Sequence, residues 1–147
     1  MEEWRRDEFL ISMDKSRVDI PAVTKWLATE SYWAEGISSE IVAKAIANSD
    51  VYGVYHEPDG RQIGFARVVT DHATCAYLCD VFIMPEFQGR GLGIWLMEVI
   101  WNRPEMLSLR TWSLATRDAH GLYEKFGFET VTNNRWMARR LRTSYLP

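Results

Sequence analysis

Three glycines at alternate positions, Gly89, Gly91 and Gly93, stand between a strand-like run ending near Met84 and an apolar run from Ile94 to Trp101. Glycine tolerates positive φ, so such a stretch turns tightly and lets a bulky anion come close to the backbone. N–H groups from the turn then converge on one concavity. The helix that starts there adds unsatisfied donors and the positive end of its dipole, which suits a pyrophosphate. Arg90 would add a charge-assisted contact to an outer phosphate. Two other glycine-rich signatures fail on spacing. A P-loop requires Gly-Lys-Ser/Thr after its last glycine, whereas Ile94-Trp95 follows Gly93. A dinucleotide fingerprint places its third glycine where Ile94 stands, and no acidic residue lies between 111 and 115 to take a ribose hydroxyl. The bland alternative is a glycine-rich turn with no ligand.

The elements that must position this loop follow from periodicity and turn chemistry. Phe9 to Ser12 reads as a short strand. Asp19 caps a helix with Pro21 in its first turn, carrying Val23, Trp26 and Leu27. A loop Glu30–Gly36 follows, and then Ser38 or Ser39 caps a second helix with Ile41, Val42, Ala45 and Ile46 on one face. After Asp50 the texture turns to strands. Val51–Tyr55 and Gln62–Thr70 form a hairpin around Glu57-Pro58-Asp59-Gly60, and Ala73–Met84 is a long central strand. A helix from about Leu92 to Asn102 stops before Pro104. Leu107–Ala115 is a strand, and Asp118–Phe126 is a helix ended by Gly127 as a C-cap. Phe128–Val131 and Arg135–Leu141 are expected to close as a hairpin. The order predicts one α/β (mixed α+β) domain over residues 1–147, with a central, mostly antiparallel sheet flanked by about four helices.

Composition limits the partners. At 147 residues, 47% hydrophobic and 25% charged, the chain is long enough for one well-packed domain. A net charge of −3 argues against nucleic acid, whose binders carry a basic excess. The apolar run after Gly93 is interrupted by Glu98 and is too short for a bilayer, and the charged start, Met1 to Glu8, has no signal-peptide core. A cytoplasmic protein with no membrane partner is the expectation. Cys75 and Cys79 fall on one strand, where four residues span about 13 Å, beyond disulfide reach. They read as buried small hydrophobes, and no His/Cys set has metal-ligand spacing.

The segment Gln88-Gly89-Arg90-Gly91-Leu92-Gly93 and the run Leu122-Tyr123-Glu124-Lys125-Phe126-Gly127-Phe128 together resemble the two signatures of the GCN5-related N-acetyltransferases. The resemblance implies their fold along nearly the whole chain, with the sheet splayed between the strand ending near Ile83 and the strand at Leu109–Ala115. It implies acetyl-CoA as co-substrate, no metal, and an amine acceptor, small or on a protein. It also allows a homodimer. Pantetheine would lie in the splay against the backbone of Val81, Phe82 and Ile83, beside a β-bulge, and the pyrophosphate on residues Gln88, Gly89, Arg90, Gly91, Leu92 and Gly93. One N–H near Ile83 would polarise the thioester carbonyl. The family often has Asn seven residues before its helix Tyr, touching the pantetheine arm; here that position is Thr116, which keeps an oxygen and loses the amide.

The reaction needs a neutral amine and a proton for the departing thiolate. The resemblance gives the second task to Tyr123. Asp80, three residues before Ile83, occupies a position where relatives place an acidic residue facing the acceptor. It acts there as a base, or else pairs with an arginine such as Arg67. His120 shares a helix face with Tyr123, though a lone His is more often a surface residue. Tyr32 and Trp33, in the loop that borders the acceptor in relatives, are expected to form an aromatic wall. The expectation is therefore direct acetyl transfer to a primary amine with Tyr123 as general acid. A non-catalytic acyl-CoA-binding or sensing domain of the same fold is the alternative.

Overall fold

The computed structural model describes residues 2–142 and 144–147. A six-stranded sheet runs in the order of the chain: β1 (Glu3–Arg6), β2 (Phe9–Ser12), β3 (Asp50–His56), β4 (Arg61–Thr70), β5 (Cys75–Ile83) and β6 (Thr111–Leu114). The first five strands are antiparallel to their neighbours, and β6 alone runs parallel to β5. Among the described residues five α-helices accompany them: α1 (Ile20–Glu30), α2 (Ser39–Ala47), α3 (Leu92–Trp101), α4 (Pro104–Leu107) and α5 (His120–Glu124). None of the described helices is long and apolar enough to cross a membrane.

Local chemistry sets the helix starts. The Asp19 carboxylate accepts from the Ala22 N–H at 3.0 Å, and the Ser38 hydroxyl accepts from the Ile41 N–H at 3.3 Å. Both faces of the sheet are apolar because each is covered. α1 and α2 close one face, where Val23, Leu27, Val42 and Ile46 meet Val51, Phe65 and Phe82. α3 closes the other, where Leu96, Met97 and Ile100 meet Ile11, Tyr52, Val54 and Ala66. Those three α3 side chains are fully buried, and each contributes about 2 kcal/mol by its removal from water.

Four features differ from the sequence reading. A first strand, β1, precedes Phe9; its residues Glu-Trp-Arg-Arg are charged and mostly exposed, so no alternation revealed it. It is held by pairing to β2 across a turn at Asp7, which takes φ 54°. Secondly, the run after Pro104 starts with a helical turn, α4, so β6 is only Thr111–Leu114. Thirdly, Cys75 is exposed and Cys79 half-buried, rather than both being core residues.

The fourth difference is the expected hairpin of residues 128–131 and 135–141, which form no strands. A turn is present, with Asn134 at φ 56° and the Asn133 side-chain Oδ1 accepting from the Arg135 N–H at 3.1 Å. Its arms have no buried face to set a register: Trp136, Met137 and Leu141 are 60%, 92% and 82% exposed. The chain docks again further on, where the Tyr145 N–H donates to the Glu35 carbonyl at 2.9 Å.

Candidate active site

Two features of β5 open the sheet. β6 pairs only with Cys75–Leu78, so the last five residues of β5 have β4 on one side and no strand on the other. Within that free stretch the register against β4 slips. Phe65 faces Phe82 and Arg67 faces Cys79, which leaves Asp80 and Val81 together opposite Ala66. The extra residue makes a bulge, and Asp80 takes it up in the left-handed region at φ 56°. Aspartate is one of the few non-glycine residues that tolerate this conformation. The side chains of Phe82 and Ile83 are buried on opposite faces of the sheet, Phe82 stacked on Trp26 with ring centroids 4.0 Å apart. What these residues present to the opening is backbone.

The glycine loop stands at the end of the same strand. A helical turn, Pro85–Phe87, carries the chain out of β5, and the Gln88 side-chain amide donates back to the Ile83 carbonyl at 2.8 Å. Gln88 thereby braces the loop. Its own N–H is taken by Pro85 at 3.2 Å. Among the described residues, the N–H groups of residues 89–94 meet no acceptor, and α3 begins without a side-chain cap. Gly89 and Gly91 adopt φ 80° and 75°, which excludes ordinary side chains there. A Cβ on Gly89 or Gly93 would meet nothing within 4 Å, so this surface is open to an incoming group. The residues fit a diphosphate: an uncapped ten-residue helix, a concavity of unpaired donors and no acidic side chain among residues 88–93. Leu92 contributes only backbone, since its side chain is buried in the core.

Arg90 lies over the Phe87 ring at 5.3 Å and 3.9 Å from the Glu8 carboxylate. Arg6, which the sequence did not single out, donates to the Gly91 carbonyl at 3.1 Å and covers Trp95 at 4.8 Å. The two residues are 85 positions apart in the chain, and only the unforeseen β1 brings them together.

A cleft of about 750 Å³ runs from the splay between α2, β5 and the start of α5. It is lined by Asp80, Val81, Thr116 and Tyr123, together with Tyr32 and Trp33. The predicted acid, base and aromatic wall therefore share one cavity, while the glycine loop lies beyond it. Tyr123 is held edge-on to Phe128 at 6.0 Å, and among the described residues its hydroxyl makes no hydrogen bond. Burial, with smaller contributions from Tyr32 and Asp118, pushes it up to about 12, so the hydroxyl keeps its proton throughout the physiological range. Thr116 uses its oxygen to accept from the Ala119 N–H at 3.0 Å, leaving its hydroxyl hydrogen available to a ligand. His120 is exposed and is not among the cleft residues.

Asp80 sits in the pairing that the sequence held open as an alternative to a base. One carboxylate oxygen accepts from Arg67 Nε at 2.8 Å and the other from Trp33 Nε1 at 2.9 Å. Tyr32 is anchored too, its hydroxyl accepting from the Arg117 N–H at 2.8 Å with the Arg117 guanidinium over its ring at 4.0 Å. The aromatic loop is thus tied to the bulge on one side and to the segment after β6 on the other. The Cys79 thiol, on the strand beside the bulge, is pushed by burial up to about 12, against the pull of Arg67, which removes it as a nucleophile.

Residues 47–130 match the model of a family described as the acetyltransferase (GNAT) domain. A crystal structure of a candidate GNAT-family acetyltransferase from Xanthomonas campestris pv. campestris is 39% identical, with a TM-score of 0.87, over 93% of this chain and 95% of that one. The GCN5-related N-acetyltransferase 2, chloroplastic, of Arabidopsis thaliana is 35% identical over 50% of this chain and 29% of its own length. A structure of Rv2747 from Mycobacterium tuberculosis in complex with CoA and NLQ shares the fold at 17% identity and a TM-score of 0.68, over 87% of this chain and 76% of that one. The chain spans 66% of the first curated relative it matches, and 50% or less of the others.

Proposed function

This chain belongs to the GNAT acetyltransferase family, and from that premise we propose that it transfers an acetyl group from acetyl-CoA to a primary amine by direct attack, with Tyr123 as the proton donor. The observation that carries the reading is the placement of Tyr123, protonated and without an internal hydrogen-bond partner, in the cleft that the Asp80 bulge opens. Acetyl-CoA, when bound, supplies a thioester carbonyl and a thiolate leaving group. The unpaired amides of residues 89–94, with Arg90, hold the diphosphate end. The free backbone edge of Val81–Ile83 aligns the extended arm, and Thr116 offers it a hydroxyl donor.

Tyr123 acts through a hydrogen bond to the thiolate as charge develops there. Transfer from a group near 12 to a thiolate whose own thiol titrates near 8.5 runs uphill by itself, so Tyr123 gives its proton to the thiolate as it recovers one from the attacking amine, which must lose a proton for the amide to form. Asp80 is a positioning residue in this reading. With both oxygens engaged, it holds Arg67 and Trp33, and through Trp33 the aromatic wall. The two cysteines are free, in keeping with a reducing compartment such as the cytoplasm.

The test is release of free thiol from acetyl-CoA in the presence of a panel of primary amines, alongside calorimetric titration with CoA. Amine-dependent thiol release is expected. Tight CoA binding with no turnover on any amine would instead make this a binding or sensing domain. Failure to bind CoA at all would sink both.

A further inference from the structure

The charges of the cleft do not cancel. Its carboxylates are Asp80 and Asp118, and its guanidinium groups are Arg67, Arg117 and Arg140. Asp80 is closed by Arg67 at 2.8 Å and by the Trp33 indole, and Asp118 lies 3.5 Å from Arg117. Among the described residues Arg140 has no ion pair, yet it borders the cleft on the same side as Tyr77. The cavity therefore offers no uncommitted anion to an incoming ammonium and one uncommitted cation to an incoming anion. Apart from the Thr116 hydroxyl and the Cys79 thiol, its other side chains are aromatic or apolar, with Tyr32, Tyr77, Ile41 and Val69 each 40% to 45% exposed.

Resting on the acetyl-transfer reading above, we infer that the acceptor is an amine whose far end carries a carboxylate or phosphate, and that Arg140 is the residue that binds that anion. A guanidinium suits either group, because its fork of donors matches two oxygens at once. The same field disfavours polyamines and lysine-rich peptides, since a second positive charge in the cleft would meet Arg140 with no carboxylate to offset it. The lack of a free acid also suits the chemistry. Nothing in the cavity holds the acceptor nitrogen as an ammonium, so the neutral nucleophile is not disfavoured.

The experiment reads binding directly, so that it does not depend on turnover. In the protein loaded with CoA, the indole N–H resonance of Trp33, assigned by its loss in Trp33→Phe, is followed during titration. The probes are matched pairs: phenylalanine against phenylalaninamide for the carboxylate, and 2-aminoethyl phosphate against ethanolamine for the phosphate, with spermidine as the polycation. The member bearing the anion is expected to bind about tenfold more tightly in at least one pair, and the pair that responds identifies the anion. That preference should shrink as salt rises, collapse in Arg140→Gln and return in part in Arg140→Lys. Equal binding within both pairs, tighter binding of spermidine, or a preference that survives Arg140→Gln would each overturn the inference. Loss of thiol release in the separate activity assay would count against the enzyme reading alone and would leave this binding preference standing.

Discussion

The two halves of the proposed site are built from different materials. The diphosphate cradle is backbone: unpaired amides of residues 89–94, two glycines at positive φ and an uncapped helix. The acceptor cleft is side chain: Trp33 on Asp80, Asp80 on Arg67, Tyr32 on Arg117, Tyr123 against Phe128. A backbone cradle needs only local conformation, so a handful of adjacent residues specifies it. A side-chain cleft needs partners that are far apart in the chain, so it depends on the whole fold and changes with single substitutions. Under the proposed function the donor half would serve a constant ligand and the acceptor half a variable one, and their construction matches that division.

The most direct way to break this contrast is to spoil the cradle without touching any functional side chain. Gly91→Val places a β-branched residue at φ 75°, a conformation that costs about 1–3 kcal/mol and moves the loop amides. A loss of affinity for CoA of roughly 100-fold or more is expected by calorimetry, with the circular dichroism spectrum retained. If affinity holds, side chains and not amides carry the diphosphate.

Alkali should separate the halves next. Cys79 and Tyr123 in the cleft, with Tyr52 and Tyr55 in the core, are all pushed to about 12 by burial, from ordinary values of 9.0 for the thiol and 10.0 for the phenols. Each is neutral when protonated, and the unfolded chain loses the proton first. The stability they contribute is therefore complete below pH 9 and is lost as pH rises toward 12. Denaturant melts at pH 8, 9.5 and 11 should show a fall of about 2 kcal/mol by the last point, discounted from the roughly 1.4 kcal/mol per pH unit that each group would give if fully buried. The cradle holds none of the four groups.

Tyr123→Phe sharpens the contrast from the chemical side. It removes the only donor proposed for the thiolate, so kcat should fall about 100-fold while CoA affinity changes by less than about twofold. An equal loss of both would assign the tyrosine to the cradle. A smaller effect is expected from Trp33→Phe, which keeps the ring and removes the bond to Asp80. KM for the acceptor should rise about fivefold to tenfold with CoA affinity intact. The smallest effect is a contrast between the thiols: iodoacetamide at pH 8 should modify exposed Cys75, spare Cys79, and leave turnover within about twofold.

The same division explains what was legible in the sequence. Alternating glycines after a strand announce a cradle, because the need for positive φ and close approach is written in adjacent letters. The Asp19 and Ser38 caps, the β5 strand and α3 were legible for the same local reason. Nothing local joins Trp33 to Asp80, 47 positions away, or Arg6 to Gly91. The role of Asp80 was open for that reason: its neighbours in sequence are apolar, and the arginine that claims it lies on the adjacent strand. The missing hairpin after Phe128 is the opposite case. Residues 135–141 carry the large apolar side chains of Trp136, Met137 and Leu141, but apolar residues alone do not provide a surface to pair against.

The left-handed turn of Asp80 also restricts how this molecule can diverge. Glycine, asparagine and aspartate occupy such a conformation without serious strain, and β-branched residues do not. Position 80 is thus almost closed to evolutionary drift, even though it lines the cleft proposed for the acceptor. A descendant adapting to a new amine would have to innovate around it, by exchanging the rings at 32 and 33 or the charges at 117 and 140, while the kink that parts the strands stays inherited.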